Sequence, residues 1–352
     1  MKKLAMIGCG GIGSYHLEHF LTFDDIELVG FCDLILDRAE SFVKKAGKGK
    51  AYVDFRKMYD ETTPDMVFIG IPPYKHGEIE FETIERGIHM FVEKPVSLEL
   101  DMAKKIRDKI TEKNLIAASG FQCRYDNINE ATKDFIAKND IVVMQGSRVG
   151  GVPEVDWWRQ KDLSGGQLVE QTVHQMDLLR YLLGEVDTVY SIPTRGFIDN
   201  SEWEGYDTDD ISTTIIKFKS GITGTMMTGC YSLNGASWDS KMTFGTRSAR
   251  LDYILCSHVS IYGVDEQDKA DEIAGVVKGD GMQRRNENEV GLRYNSSVDF
   301  GTICDRTFID AVISGDASKI RSPYADAVKT LATVLACNES MKTGQPVKVD
   351  LG

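Results

Sequence analysis

The chain predicts two domains: a doubly wound α/β domain with a parallel sheet over residues 1–120, then a domain of half-buried strands and buried helices over 121–352. Three observations lead there. Short β-rich runs alternate with stretches of helical period through the first 120 residues, a glycine cluster follows the first run, and the second half carries strand-like runs with in/out alternation. A length of 352 residues is long for one hydrophobic core and suits two.

The β-rich runs of the first part are KLAMIG (3–8), ELVGFCD (27–33), AYV (51–53), MVFIGI (66–71), HMFVE (89–93) and LIAASG (115–120). Apolar runs without alternation suit strands covered on both faces, and helical stretches between them, such as HGEIEFETIERG, supply the right-handed crossovers of a parallel sheet. Between the first strand and helix, Gly8, Gly10 and Gly13 form G-x-G-x-x-G. The first glycine permits a tight turn, the second lets the backbone approach a pyrophosphate, and the third allows close helix–strand packing. N–H groups at the helix start then face the anion. Asp33 ends the second strand, 20 residues after Gly13. A carboxylate there accepts both ribose hydroxyls and repels a 2′-phosphate, which favours NAD over NADP. Arg38, a turn further on, either reaches the adenosine phosphates or is a solvated surface arginine.

Composition narrows the partners. With 41 basic and 54 acidic residues the formal charge is −13, and no Lys/Arg run forms a nucleic-acid or anionic-membrane footprint. The longest apolar runs are too short to cross a bilayer, and MKKLAMI meets glycines before a signal-peptide core can form, so a cytoplasmic protein is expected. Cysteines 9, 32, 123, 230, 256, 304 and 337 contain no C-x-x-C pair and read as reduced thiols. The six histidines lack zinc-like spacing, so no metal is expected.

The chemical candidates lie beyond the glycine loop. FVEKP (91–95) places Glu93, Lys94 and Pro95 at the carboxyl end of the fifth strand, where open α/β sheets bind ligands. A lysine there can hold a substrate hydroxyl and steady a developing alkoxide, or it simply precedes a helix-start proline. IPPYKH (71–76) ends the fourth strand, with His76 structural or beside the cofactor. In SGGQLVEQTVHQMDLLRYLLG (164–184), apolar residues take a wide arc of one buried helix and Glu170, His174, Asp177 and Tyr181 share the remaining sector. A titratable stripe on a buried helix faces a cleft or a polar network. Glu170, one turn before His174, is expected to fix the imidazole tautomer and raise its basicity.

These motifs together resemble the Gfo/Idh/MocA oxidoreductases over nearly the whole chain: GCGGIG, Asp33, IPPYKH, VEKP, GFQCRYD (120–126), DWWR (156–159), the 164–184 segment and the closing FIDAVISGD to QPVKV. The resemblance implies an α/β protein with an N-terminal Rossmann doubly wound parallel sheet and a C-terminal α+β domain whose mixed, mostly antiparallel sheet has one open face. It implies that Lys94 contacts the substrate hydroxyl and the nicotinamide ribose, with a cis Lys94–Pro95 bond, and that His174 is the general acid/base. Glu170 stands where the better-studied dehydrogenases carry aspartate, keeping the carboxylate on a longer arm. Candidate cofactor contacts are Gly8, Gly10, Gly11, Ile12, Gly13, Asp33, Arg38, Ile71, Pro72, His76, Glu93, Lys94 and Gln122. Arg124, Tyr125, Trp158 and Arg159 match segments lining the substrate pocket, Asp177 is a further sugar-hydroxyl ligand, and core packing is the alternative for the Trp-Trp-Arg run.

The implied activity is NAD-dependent hydride transfer to and from a secondary alcohol of a sugar, polyol or inositol. A redox-neutral lyase or glycosidase using NAD transiently, and a non-catalytic NAD-binding sensor, are the alternatives. Strands are expected at VVMQGSRV, DISTTIIKF, GITGTMMTGCY, KMTFGT and ARLDYI, and their free face is the expected interface of a homodimer or homotetramer. Helices at about 304–315 and 323–341 are expected to pack back toward the first domain. The polar stretch 263–300 is either an insertion shaping substrate access or a surface loop.

Overall fold

The structure is a computed structural model that describes residues 1–199, 201–263 and 292–352. The first part alternates β1 (Lys2–Ile7), α1 (Gly11–Phe20), β2 (Ile26–Cys32), α2 (Leu36–Ala46), β3 (Lys50–Tyr52), α3 (Phe55–Thr62), β4 (Met66–Ile69), α4 (Glu78–Glu85), β5 (His89–Val92), α5 (Leu100–Glu112) and β6 (Ala117–Ser119). The six strands are all parallel, in the order β3-β2-β1-β4-β5-β6. Every residue of β4 is fully buried, as expected of a central strand with helices on both faces. The strand order reverses between β1 and β4, which opens a crevice at their carboxyl ends.

The second part runs α6 (Ile128–Lys138), β7 (Val143–Val149), α7 (Lys161–Ser164), α8 (Gln167–Glu170), α9 (Val173–Leu183), β8 (Val186–Thr194), β9 (Ile211–Phe218), β10 (Thr223–Gly229), β11 (Asp239–Gly245), β12 (Arg250–Ile254), β13 (His258–Tyr262), β14 (Leu292–Asn295), α10 (Phe300–Ser314), α11 (Tyr324–Thr343) and β15 (Val347–Lys348). Its nine strands lie in the order β14-β13-β12-β11-β7-β10-β9-β8-β15, with only β7 and β10 parallel. In β9, Ser212, Thr214, Ile216 and Phe218 point into the helix-covered core while Thr213, Ile215 and Lys217 face outward. One face of the sheet is therefore bare. Strand β8 and the outer strands β13, β14 and β15 escaped the sequence reading. Within the 263–300 stretch, 264–291 lie outside the described residues, and the remainder forms β14 and the start of α10.

The expected single helix over 164–184 is corrected. Gly165 and Gly166 both have positive φ and start α8 late, and α8 ends after four residues. There the Thr172 N–H reaches back to the Gln167 carbonyl and the Thr172 hydroxyl bonds that of Thr228 on β10. Threonine hydroxyls that find a partner outside the helix weaken its ladder. Glu170 and His174 thus belong to different helices.

Two buried ionic networks hold the last helices in place. Helix α10 lies on the first sheet, where Cys304, Phe308 and Ile309 pack with Leu4, Met6, Phe20, Phe68 and Phe91. Inside that contact, Asp305 of α10 accepts from His16 Nδ1 at 2.8 Å and His19 Nδ1 at 2.6 Å, and His16 Nε2 donates to Glu93 Oε1 at 3.0 Å. Burial pushes the His16 pKa down, but Asp305 and then Glu93 outweigh it and lift it to about 9. His16 and His19 are i, i+3 neighbours on one helix face, a spacing meaningful only once α10 supplies the acid. Helix α11 packs on α5, α9 and β8. Beside it the Arg124 fork grips Asp177 at 2.7 and 2.6 Å, while Arg180 donates to Asp326 Oδ1 at 3.0 Å and to Glu185. All seven cysteines are free; the sulfurs of Cys123 and Cys256 lie 4.0 Å apart.

A His16 pKa raised above its unfolded value of about 6.5 stabilises the fold fully below that pH, and the contribution is lost as pH rises toward 9. The urea midpoint of the wild type is expected to fall across that window, and the fall should be much smaller in His16→Gln. Asp177→Ala removes the bidentate partner of the buried Arg124 guanidinium and leaves it Asp326, so it is expected to cost about 1.5–3 kcal/mol in urea unfolding, with Asp177→Asn losing less.

Candidate active site

The glycine loop divides its labour along the chain. Gly8 has φ +92°, and a Cβ there would lie 2.0 Å from the Gly70 carbonyl oxygen; a Cβ on Gly13 would lie 2.1 Å from that of Gly8. These two glycines let β1, β4 and α1 meet. Gly10 and Gly11 instead have nothing within 4 Å of where a Cβ would be, so bare backbone faces the crevice. Helix α1 starts there without a side-chain cap, which leaves the first-turn N–H groups, including that of Ile12, for an anion. Asp33 Oδ2 accepts from the Cys9 N–H at 2.9 Å and Oδ1 from that of Ile35 at 2.9 Å. Each oxygen keeps a second lone pair for a ribose hydroxyl.

Around this loop the other expected contacts are unequal. Ile71 and Pro72 are half-buried on the β4 side, and Ile71 Cγ2 would lie 3.4 Å from a Gly8 Cβ. Arg38 is exposed on the first turn of α2 and close enough to Cys9 to act on its thiol electrostatically. His76 Nδ1 pairs with Glu80 Oε1 at 2.6 Å, while its Nε2 is buried without a partner among the described residues. Gln122 Oε1 accepts from the Tyr15 hydroxyl at 2.9 Å. The Glu93 carboxylate, an expected cofactor contact, is engaged by protein partners. Its Oε1 accepts from His16 Nε2 at 3.0 Å, its Oε2 accepts from the Lys94 N–H at 3.1 Å, and the bare Cα of Gly120 makes room for it.

Lys94, joined to Pro95 by a cis bond, turns the opposite way from Glu93. Its Nζ donates to the Glu170 carbonyl at 3.1 Å and to Glu170 Oε1 at 3.0 Å. Burial works against the ammonium, but the carboxylates of Glu170 and Glu93 outweigh it and hold its pKa above the ordinary lysine value. Glu170 Oε2 accepts from Trp158 Nε1 at 2.9 Å and from Gln171 Nε2. Trp158 is fully buried, so it holds the acid instead of lining a pocket.

His174 opens α9 with its ring edge-on to Phe121, centroids 6.1 Å apart. The expectation that Glu170 orients it is corrected: the break between α8 and α9 sends Glu170 to Lys94, and His174 Nδ1 is buried without a partner among the described residues. Its basicity is not raised. Burial first, then the Lys94 ammonium and the Arg148 guanidinium, push the His174 pKa well below 6.5, so the imidazole is neutral and ready to accept a proton.

Three of the expected substrate ligands are spent elsewhere. Arg124 and Asp177 neutralise each other inside the α11 network, and the Tyr125 hydroxyl accepts from the Arg321 N–H at 2.9 Å beneath the α10–α11 connection. Arg159 pairs with Asp156 at 3.3 Å and covers the Trp203 ring. Sequence reasoning missed Arg148, at the end of β7, and Gln171, which joins it to Glu170; the expected strand VVMQGSRV contains Arg148, but only the fold brings it to His174.

A Rossmann crevice with a bare glycine loop, beside a lysine–glutamate pair and a neutral histidine, marks a dinucleotide-dependent protein of two-domain architecture. Comparison with known sequences assigns residues 2–121 to the Gfo/Idh/MocA oxidoreductase family, NAD-binding Rossmann fold, and residues 133–349 to the C-terminal alpha/beta domain of the same family; the chain belongs to that family. A myo-inositol 2-dehydrogenase of Thermotoga maritima is 28% identical over 227 residues, 63% of this chain and 66% of that protein. A scyllo-inositol 2-dehydrogenase (NAD(+)) of Bacillus subtilis is 30% identical over 227 residues, 63% and 65% of the two chains. The chain thus spans about two thirds of the length of these relatives. A solved levoglucosan dehydrogenase in complex with NADH shares the fold, with a TM-score of 0.82 over 99% of both chains at 18% identity.

In an NMR titration the His174 ring is expected to protonate well below pH 6.5. Lys94→Met, by removing the second cause of that shift, should move the transition upward toward 6.5. Protonation of the unfolded histidine below pH 6.5 also costs the wild type stability on the acid side.

Proposed function

We propose that the chain is an NAD-dependent oxidoreductase that moves hydride between the nicotinamide and a secondary alcohol of a sugar, polyol or inositol. The observation that carries this reading is one ammonium, Lys94, and one neutral imidazole, His174, close enough to interact at the carboxyl end of a parallel sheet that also presents a bare glycine loop. That the two relatives above are inositol 2-dehydrogenases supports the substrate class.

NAD, when bound, takes up hydride in its oxidised form and returns it in its reduced form. The backbone of Gly10 to Gly13 would hold its pyrophosphate and Asp33 its adenosine ribose, where a 2′-phosphate would meet the carboxylate. Lys94 binds the reacting hydroxyl oxygen and steadies it as negative charge develops. His174 accepts the hydroxyl proton as the C–H hydride departs, which leaves a ketone; the reverse direction returns both. Glu170 keeps Lys94 charged and aimed, and is itself held by Trp158 and Gln171. Glu93 and His16 anchor the loop from behind.

On the same reading the enzyme works in the cytoplasm, and the bare sheet face, with Ile192, Ile215 and Val143 exposed, joins subunits as a homodimer or homotetramer. Among the described residues no helix is long and apolar enough to cross a membrane.

Absorbance of reduced nicotinamide, followed while protein and NAD meet a panel of inositols, sugars and sugar acids, is expected to rise with one class. His174→Asn should bind NAD normally and lose turnover by about 10²–10⁴-fold. Wild-type turnover in that variant, or a flat trace for every compound despite bound NAD, would overturn the proposal.

A further inference from the structure

Arg148 is the one strong cation beside the reacting groups that the proposed chemistry leaves unused. It ends β7 on the helix-covered side of the sheet, half-buried, with its guanidinium near enough to His174 to depress the imidazole pKa. Among the described residues no carboxylate lies within ion-pair distance of it. One of its five N–H groups donates to Gln171 Oε1 at 3.1 Å. The nearby acid cannot serve it, because Glu170 already accepts from Lys94, Trp158 and Gln171. Gly150, two residues on, gives the guanidinium room: a Cβ there would lie 2.7 Å from Arg148 Nη1.

At this end of the crevice the two cations Lys94 and Arg148 face two carboxylates that already have partners, Glu170 on Lys94 and Glu93 on His16, with His174 neutral. A neutral polyol would leave a half-desolvated guanidinium uncompensated, and such a charge is costly without a partner. An oxyanion on the substrate removes that cost and fits the planar fork of an arginine.

We propose that Arg148 is a specificity-determining residue and that the substrate is a sugar or polyol bearing an oxyanionic group, carboxylate or phosphate, which docks on the Arg148 guanidinium while the reacting hydroxyl lies between Lys94 and His174. The place of the reacting hydroxyl rests on the hydride-transfer reading; the anion contact at Arg148 does not. Gln171 becomes a positioning residue: its carbonyl oxygen holds the guanidinium and its amide holds Glu170, so one side chain couples the anion subsite to the Lys94 pair.

The test uses matched sets that differ in charge: glucose, glucuronate and glucose 6-phosphate, then galactose and galacturonate, then myo-inositol and its monophosphate. Each is titrated into the protein–NADH complex, with quenching of NADH fluorescence as the binding readout, and turnover with NAD is recorded separately. At least one acid is expected to bind about 10- to 100-fold tighter than its neutral partner. That ratio should collapse toward one in Arg148→Gln and be partly kept in Arg148→Lys, with the affinity for NADH alone unchanged in both. Preference for uronates identifies a carboxylate, and preference for the phosphate esters a phosphate. Equal or better binding of the neutral partners in the wild type overturns the inference while leaving the hydride-transfer reading intact. So does an acid preference that survives in Arg148→Gln, or a loss of NADH affinity with unchanged discrimination, which would place Arg148 on the cofactor. Acid binding without turnover of any compound keeps the anion subsite and overturns the reading instead. Should Arg148→Gln fail to fold, the wild-type comparison and Arg148→Lys decide.

Discussion

Two consecutive residues pulled in opposite directions organise this protein. Glu93 turns into the first domain, where the imidazolium of His16 and the carboxylate of Asp305 complete a buried chain of charges. Lys94 turns toward the second, onto the carbonyl and carboxylate of Glu170. The end of β5 is thereby tied to α1, α10 and α8 at once. Neither link survives alone, because each buries a charge that only the other segments can neutralise. The ammonium is therefore held in place before any ligand arrives, which is what stabilising a developing charge requires.

The last helices make this arrangement possible. Helix α10 belongs in sequence to the second part, yet it lies on the first sheet and brings Asp305 to His16. Helix α11 closes over α5 and α9 and receives the Arg124–Asp177 and Arg180–Asp326 pairs. Interfaces built from paired, buried charges are geometrically demanding, since a partner displaced by an ångström leaves an unsatisfied ion. This demand accounts for the fate of Arg124, Tyr125 and Asp177, whose polar atoms hold helices together.

The site's electrostatics follow from the same economy of acids. Glu170 lies between Lys94 and Arg148, and it is oriented by Trp158 and Gln171, not by His174. With no acid on Nδ1 among the described residues, the imidazole stays neutral under the influence of two nearby cations. A neutral base and a charged oxygen-holder are the two states that the proposed alcohol oxidation would need at the same time.

Local pattern made much of this legible. The parallel sheet follows from alternating periods, the bare turn at Gly8, Gly10 and Gly13 from their spacing behind a strand, and Lys94 and His174 as candidates from their motifs, because each depends on residues within one or two elements. Periodicity failed where contact with distant segments decides: the helix over 164–184 breaks because Gly165, Gly166 and Thr172 answer to β10 and the glycine turn, and a stripe drawn on an ideal helix joins residues that the fold separates. The outer strands β13, β14 and β15 were illegible because they are short and gain their stability from pairing. Which carboxylate meets which cation was likewise beyond the sequence. His16, Glu93 and Asp305 are separated by 77 and by 212 residues along the chain, and opposite charges that far apart find each other only through the packing of whole helices.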